Sequence, residues 1–235
     1  MDVIPILLAF GVVVVVIVGY HMTRGRWHRE LKRQYDCCTE AFGKQDFDLA
    51  IRCMTKVIRR DSKQACAYFC RGVGHECKNE YDLAIADLTE ATRLNPKDSQ
   101  SHYSLGVICC CKEDDDDRAI FHLTEAIRHD PKHGFAYCYR ALVHAHKNEY
   151  DLAIADFTEA RRLNPKDTKA HYWLGLVFFV QGDYDSAIIH LTEAIRLNPD
   201  GDSSPYTLRG CAYEKIGESD KSKSDLAKAE ELRAS

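Results

Sequence analysis

The feature that most constrains the fold is a repeat of 34 or 35 residues that runs along almost the whole chain. Residues 78–87 and 147–156 both read KNEYDLAIAD, 69 positions apart. One column of small residues is spaced by 34, 35, 34, 34 and 35 positions: Ala50, Ala84, Ala119, Ala153, Ala187 and Ser222. Self-similarity at such a period is typical of a chain built by stacking copies of one supersecondary unit. The repetition therefore predicts an array of similar units.

Each repeat has the sequence signals of two helices. Four repeats close on a proline, and because the residue before proline avoids the helical region, the second helix ends there. Turn residues precede Glu-Tyr or Asp-Tyr at Asn79, Asn148 and Gly182, which predicts the break between the two helices. A column of small residues in the first helix lets the paired helices approach closely: Cys38, Gly72, Gly106, Ala141, Gly175 and Gly210.

The joint recurrence of period, small residues, tyrosine and proline resembles the tetratricopeptide repeat family over roughly residues 31–235. The wording YDLAIADLTEATRLNP is similar to the tandem repeats of bacterial proteins. The resemblance implies an all-α, right-handed superhelical solenoid of about six helix-turn-helix repeats, of which the first and the last are divergent and the last is a carboxyl-terminal cap. The expected repeats are 31–64, 65–98, 99–133, 134–167, 168–202 and 203–235.

A membrane anchor is expected ahead of the repeats. Residues 3–20 carry no charge, and 18 residues in a helix span about 27 Å, enough for a hydrocarbon core. Five cations follow directly: Arg24, Arg26, Arg29, Lys32 and Arg33. Since basic residues stay on the cytosolic side, the sequence predicts a single-pass signal-anchor at 1–23, a basic juxtamembrane segment at 24–30 and a repeat array in the cytosol. A cleaved signal peptide is the alternative, but that needs a basic start, and this start is acidic.

The cysteine content favours a reducing compartment. The chain has 11 cysteines, an odd number, and several of them are immediate neighbours, which is a poor layout for a disulfide framework. The net charge of −4 gives no reason to expect nucleic acid as a partner. Both observations fit an array in the cytosol that binds protein.

The resemblance implies a concave wall built from the first helix of each repeat. Its inward positions are predicted to form a peptide-binding groove, which comprises Phe69, Val73, Tyr103, Val107, Cys138, Tyr139, Leu142, Tyr172, Trp173, Leu176 and Phe179. Aromatic anchors in a concave surface suit an extended or helical peptide with apolar side chains. The alternative is that some of these residues are core, and for Val107, Leu142 and Leu176 the two interpretations are evenly balanced.

Other site types are not indicated. Some family members hold a chaperone's carboxylate tail in a clamp of cations, but the matching positions here carry none: Tyr35, Thr39, Cys70, Gln100 and Ser104. Cys77, Cys111 and His146 fall at equivalent positions of three repeats, yet successive repeats lie about 10 Å apart, too far to share one metal ion. No catalytic constellation or phosphate-binding loop is recognisable, so we expect no enzyme activity, no metal and no cofactor.

These observations predict a membrane-anchored scaffold that recruits a protein partner through the groove. Three alternatives remain open. The array could self-associate into a homo-oligomer through its last helix, although the polarity of that helix favours a solvent-facing cap. It could be a receptor on an organelle surface, or an enzyme with an unrecognised cysteine site.

Overall fold

A computed structural model describes residues 26–111 and 115–234, with side chains from residue 29 onward, and every regular element in these stretches is an α-helix. The helices are α1 (Arg26–Gly43), α2 (Phe47–Arg60), α3 (Ala65–Cys77), α4 (Tyr81–Leu94), α5 (Ser99–Cys110), α6 (Asp116–His129), α7 (Gly134–His146), α8 (Tyr150–Leu163), α9 (Thr168–Gln181), α10 (Tyr184–Leu197), α11 (Ser204–Lys215) and α12 (Ser219–Ala234). The all-α prediction is confirmed for these residues. The predicted anchor at 1–23 lies outside them.

The helices divide into two compact units, here called the N-unit (α1–α6) and the C-unit (α7–α12). In each unit, consecutive helices pair into hairpins: α1 with α2, α3 with α4 and α5 with α6, and likewise α7 with α8, α9 with α10 and α11 with α12. Within the N-unit α2 packs on α3 and α4 on α5, and within the C-unit α8 packs on α9 and α10 on α11. Each hairpin thus buries its apolar face against a neighbour, as stacked repeats must.

The turn inside a hairpin needs one residue with a left-handed backbone. Asn79 and Asn148 have φ of 59° and 61°, and Gly182 has φ of 83°. Glycine has no Cβ to clash in this region, and asparagine enters it more readily than most residues. The turns predicted at these three positions are confirmed. Gln45 and Gly217 play the same part in the first and last hairpins, with φ of 58° and 84°.

The small-residue column marks the closest approach of the two helices in a hairpin. A Cβ added to Gly106 would lie 2.6 Å from Cγ of Leu123, and one added to Gly175 would lie 2.6 Å from Cγ of Leu191. These separations are far inside van der Waals contact, so the leucine packs directly on the glycine backbone. The sequence column therefore corresponds to a packing requirement.

Each unit has its own apolar core. The N-unit core includes the fully buried side chains of Met54, Leu88 and Leu105. In the C-unit, Phe157 and Leu174 belong to one buried cluster, and further apolar residues gather around α11 and α12 in another. None of the helices among the described residues is both long enough and apolar enough to cross a membrane.

Candidate peptide-binding surface

Three of the predicted groove residues are buried in the N-unit. Phe69, Val73 and Val107 expose 3%, 2% and 3% of their surface, and the first two belong to the apolar core cluster of that unit. Side chains already enclosed by neighbours in this way cannot also line an open groove. The structure therefore corrects the prediction for these three positions, and we leave them out of the candidate surface. Tyr103, on α5, is partly exposed.

The other seven predicted residues lie on α7 and α9 of the C-unit and are all partly exposed. We call this set the aromatic face: Cys138, Tyr139, Leu142, Tyr172, Trp173, Leu176 and Phe179. Helical neighbours three or four positions apart share one side of a helix, so the spacing of these residues places them in a row along each helix. The seven residues therefore form one row on each of the two helices.

Trp173 fixes the aromatic face to the core of the C-unit. Its ring stacks on that of buried Phe157, with centroids 6.4 Å apart and planes only 5° from parallel. The ring of Tyr172 meets it edge-on at 5.3 Å. Cys138 and Leu142 of α7 pack against the same core cluster as Trp173. The side chains of α7 and α9 thus converge on one buried support, and the outer portions of the rings remain open to solvent.

The apolar surface extends beyond the seven residues of the aromatic face. Val180, next to Phe179 on α9, is 53% exposed, and Phe135 near the start of α7 is 39% exposed. At the end of α9, the ring of Phe179 meets Tyr184 edge-on at 5.5 Å. An exposed valine at the end of a helix carries no distinctive sequence signal, so only its exposure in the structure identifies it.

The surface offers apolar contact and little reactive chemistry. Burial raises the pKa of the Cys138 thiol to about 12 and also raises the pKa of Tyr172. Burial likewise raises the pKa of Cys77 and Cys110 on the N-unit to about 12. Since the thiolate is the nucleophilic form of cysteine, these side chains are poorly suited to covalent catalysis at neutral pH. Within the described stretches, no three His, Cys, Asp or Glu side chains are placed to hold a metal ion.

A second surface, which sequence reasoning only half identified, lies at one end of the first hairpin. A shallow pocket there is lined by Glu30, Leu31 and Gln34 of α1 and by Lys56, Val57, Arg59 and Arg60 of α2. Because α1 and α2 pair, the end of α2 lies beside the start of α1, where Arg29, Lys32 and Arg33 are. We call this set the basic end: Arg29, Lys32, Arg33, Lys56, Arg59 and Arg60. The sequence interpretation counted only the first three of these as a cluster.

Family models described as tetratricopeptide repeat match residues 112–167, 147–202 and 203–235, which together cover 112–235, or 124 of the 235 residues. Among solved structures, MamA is 26% identical with a TM-score of 0.66, and the match covers 69% of this chain and 94% of MamA.

YrrB, described as a tetratricopeptide repeat protein with an unusual peptide-binding site, is 22% identical with a TM-score of 0.67, covering 77% of this chain and 92% of YrrB. PilW, described as a type IV pilus biogenesis factor, is 15% identical with a TM-score of 0.73, covering 84% of this chain and 90% of PilW. No curated protein matches the sequence.

Proposed function

Because the chain belongs to the tetratricopeptide repeat family, we propose that it is a membrane-anchored, non-enzymatic scaffold that binds a peptide segment of a partner protein on the aromatic face of the C-unit. The peptide is extended or helical and presents apolar side chains. No cofactor or metal takes part, and neither nucleic acid nor a chaperone's carboxylate tail is the ligand.

The observation that carries this proposal is the row of seven partly exposed, mostly aromatic side chains on α7 and α9. Exposed apolar patches on soluble domains commonly mark interaction sites, and tyrosine and tryptophan supply much of the energy in such contacts. Trp173 is already held by Phe157, so binding a peptide costs little side-chain entropy at this anchor. The description of YrrB as a protein with a peptide-binding site supports the same use of the fold.

Membrane anchoring completes the proposed mechanism. The anchor is the uncharged segment at the start of the chain, and the repeats face the cytosol. The cations that directly follow this segment support the orientation, because basic residues close to a membrane span stay on the cytosolic side. A tethered array meets membrane-bound partners at a raised effective concentration, so modest affinity at the aromatic face is sufficient.

Self-association is a second candidate, favoured by exposed apolar side chains outside the aromatic face. Phe121 on α6 is 59% exposed, and Ile189 on α10 is 67% exposed. Sedimentation of the detergent-solubilised chain over a concentration series tests it, and a strict monomer excludes it. The third possibility, a receptor on an organelle surface, is decided by where the full-length chain localises in its native cell.

The peptide-binding proposal is tested by affinity capture with the full-length chain, solubilised in mild detergent, from a lysate of the native cell. The double variant Tyr139→Ala/Trp173→Ala runs alongside, with Leu152→Ala/Ile189→Ala as a control that removes exposed apolar side chains from α8 and α10 instead. We expect proteins that the wild type and the control retain and the aromatic-face variant loses. Identical lists for all three would contradict the proposal.

Loss of Trp173 also removes its stack on Phe157, so a binding defect needs separation from a folding defect. Tyr139→Lys keeps that stack and places a charge on the aromatic face. We expect it to lose the same proteins while its circular dichroism and melting temperature match the wild type. Anchoring is tested separately by alkaline extraction of membranes: the full chain should stay with the membrane, and a chain lacking 1–23 should be released.

A further inference from the structure

One pair of positions links the two helices of a hairpin in every second repeat. Arg71 donates two hydrogen bonds to the carboxylate of Asp87, from Nε at 2.7 Å and from Nη2 at 2.6 Å. The same bidentate pair recurs 69 residues later and again after a further 69, as Arg140 with Asp156 and Arg209 with Asp225. In each pair the partners are 16 residues apart and join the first helix to the second.

Two cysteines occupy these positions in the first hairpin. Cys37 on α1 and Cys53 on α2 each lie 34 residues before Arg71 and Asp87, and they are likewise 16 residues apart. Their Sγ atoms are 2.9 Å apart, and neither thiol is oxidised. A covalent S–S bond is about 2.0 Å long, so the sulfurs need to approach by only about a further 0.9 Å. The position that carries an ion pair in other repeats thus carries a preformed dithiol here.

We propose that Cys37 and Cys53 are a redox modification site that forms a reversible disulfide when a low-molecular-weight disulfide of the glutathione type oxidises the protein. The Cys37 thiolate attacks one sulfur of that oxidant, forms a mixed disulfide and releases one thiolate. Cys53 then loses its proton and attacks Sγ of Cys37, which releases the second thiolate. Two protein thiols and one small disulfide become one protein disulfide and two small thiols.

The environments of the two thiols set the order of these steps. Cys37 is only partly buried, so an oxidant in solution can reach it, whereas Cys53 is 2% exposed. Burial and the hydrogen bond with Cys37 raise the pKa of the Cys53 thiol to about 12. A buried thiol that stays protonated is a poor first nucleophile, but it is well placed to resolve a mixed disulfide on its neighbour.

The bond would attach α1 to α2 where other repeats use a charged pair. A disulfide that closes the loop between Cys37 and Cys53 removes conformational freedom from the unfolded chain, so the oxidised first hairpin is more stable than the reduced one. That hairpin also carries the basic end, and oxidation therefore stiffens the part of the array nearest the proposed anchor. The inference does not depend on the peptide-binding proposal, since it concerns a different hairpin.

A second cysteine pair lies close by and provides the internal comparison. Cys38 and Cys70 are hydrogen-bonded and are both fully buried, at 0% exposure. An oxidant has no direct access to either thiol, so we expect this pair to remain reduced. Trypsin separates the two outcomes, because Cys53 lies in the peptide 53–56 and Cys70 in the peptide 64–71, while Cys37 and Cys38 share the peptide 34–44.

The experiment treats the full-length chain in detergent with oxidised glutathione, blocks the remaining thiols and maps tryptic peptides by mass spectrometry without reduction. We expect peptide 34–44 joined to 53–56, a loss of two free thiols, and a rise in melting temperature of roughly 5 °C or more that dithiothreitol reverses. A link between 34–44 and 64–71 instead, or no link at all, would overturn the proposal.

Three variants secure the assignment. Cys37→Ser should abolish the link, whereas Cys110→Ser should leave it unchanged. The double variant Cys37→Arg/Cys53→Asp installs the pair found in the second, fourth and sixth repeats, so it should fold and show no melting shift on oxidation. A melting shift that persists in this folded variant would show that the stabilisation arises elsewhere and would refute the assignment.

Discussion

Arg140 of α7 holds Asp156 of α8 through two parallel hydrogen bonds, from Nε and from Nη2, both of 2.7 Å. Asp156 is only 7% exposed, and the Arg140 guanidinium also lies 5.7 Å from the centre of the Tyr137 ring. The next hairpin has no such pair, because Leu174 and His190 stand at the two positions. From the second repeat to the sixth, these two positions therefore alternate between an Arg–Asp pair and a leucine with a histidine.

The alternation predicts the effect of breaking the pair. Asp156→Ala leaves the Arg140 guanidinium partly buried without its carboxylate, which should lower the free energy of unfolding by about 2–4 kcal/mol. Urea denaturation followed by circular dichroism measures the change. Equal stability in the variant would show that solvent compensates the arginine fully.

The chain itself supplies the matched control for that variant. Tyr137→His, Arg140→Leu and Asp156→His together convert the fourth repeat to the residues of the fifth at all three positions. Since no charge is then left unpaired, the triple variant should be closer to wild type than the single one. A triple variant less stable than Asp156→Ala would mean that the residues of the fifth repeat cannot replace those of the fourth.

Close packing at Gly175 gives a second prediction. A Cβ there would lie 2.6 Å from Cγ of Leu191, so Gly175→Ala should force α9 and α10 apart and cost about 1–3 kcal/mol, although alanine is the better helix former. Gly43→Ala is the control, because nothing lies within 4 Å of a Cβ at that position. The control should be neutral or slightly stabilising. The melting temperatures of both variants provide the comparison, and a neutral Gly175→Ala would contradict the packing argument.

The sequence predicts the hairpins well because their determinants are local and periodic. Asn79, Asn148 and Gly182 fall where a left-handed turn is needed, and the glycine column follows from how close two helices come. The lining of the groove was harder to predict. Phe69 and Tyr103 occupy equivalent columns, yet only the first is fully buried, because burial depends on the neighbouring side chains and these differ between repeats.

The basic end illustrates a second limit of sequence reasoning. Arg33 and Arg59 are far apart in the sequence, and a scan for charge runs treats them as separate features. The pairing of α1 with α2 brings the two ends together around one pocket. Likewise, Cys37 and Cys53 carry no pairing signal of their own in the sequence. Their relationship becomes clear only because they stand at the positions of the Arg–Asp pairs in later repeats.

The histidine pairs of the alternate repeats predict a pH dependence. Nδ1 of His122 lies 3.3 Å from Nδ1 of His102. Burial is the main cause that lowers the pKa of His122 from 6.5 to about 4, and the charges of His102 and Arg118 lower it further. Burial, with Arg161 and His171, lowers the pKa of His190 to about 4 as well. As the pH falls, these histidines bind protons in the unfolded chain, where their pKa is near 6.5, before they do so in the folded chain. The contribution of the two histidines to the free energy of unfolding is therefore fully present above about pH 6.5, and it is lost as the pH falls towards 4.

The measurement is the urea midpoint at pH 7 and pH 5 for the wild type and for His122→Asn/His190→Asn. The wild type should lose more stability on acidification than the variant. Glu76 has the opposite pH dependence, because burial raises its pKa to about 7. Its contribution to the free energy of unfolding is lost as the pH rises from about 4.5 to 7. Both proteins keep Glu76, so it cancels in the comparison. Parallel pH profiles would contradict the histidine assignment.

The basic end predicts contact with anionic lipid. Lys56 and Arg59 are exposed and line the pocket beside α1. Each cation near an anionic surface contributes about 1 kcal/mol, so Lys56→Gln/Arg59→Gln should weaken binding of a chain that starts at residue 24 to phosphatidylserine vesicles by roughly 30-fold. Lys97→Gln/Lys166→Gln removes the same charge from two loops between later hairpins and should leave binding nearly unchanged. Vesicle sedimentation at two salt concentrations makes the comparison, and equal losses in the two variants would show that net charge, rather than the basic end, governs lipid contact.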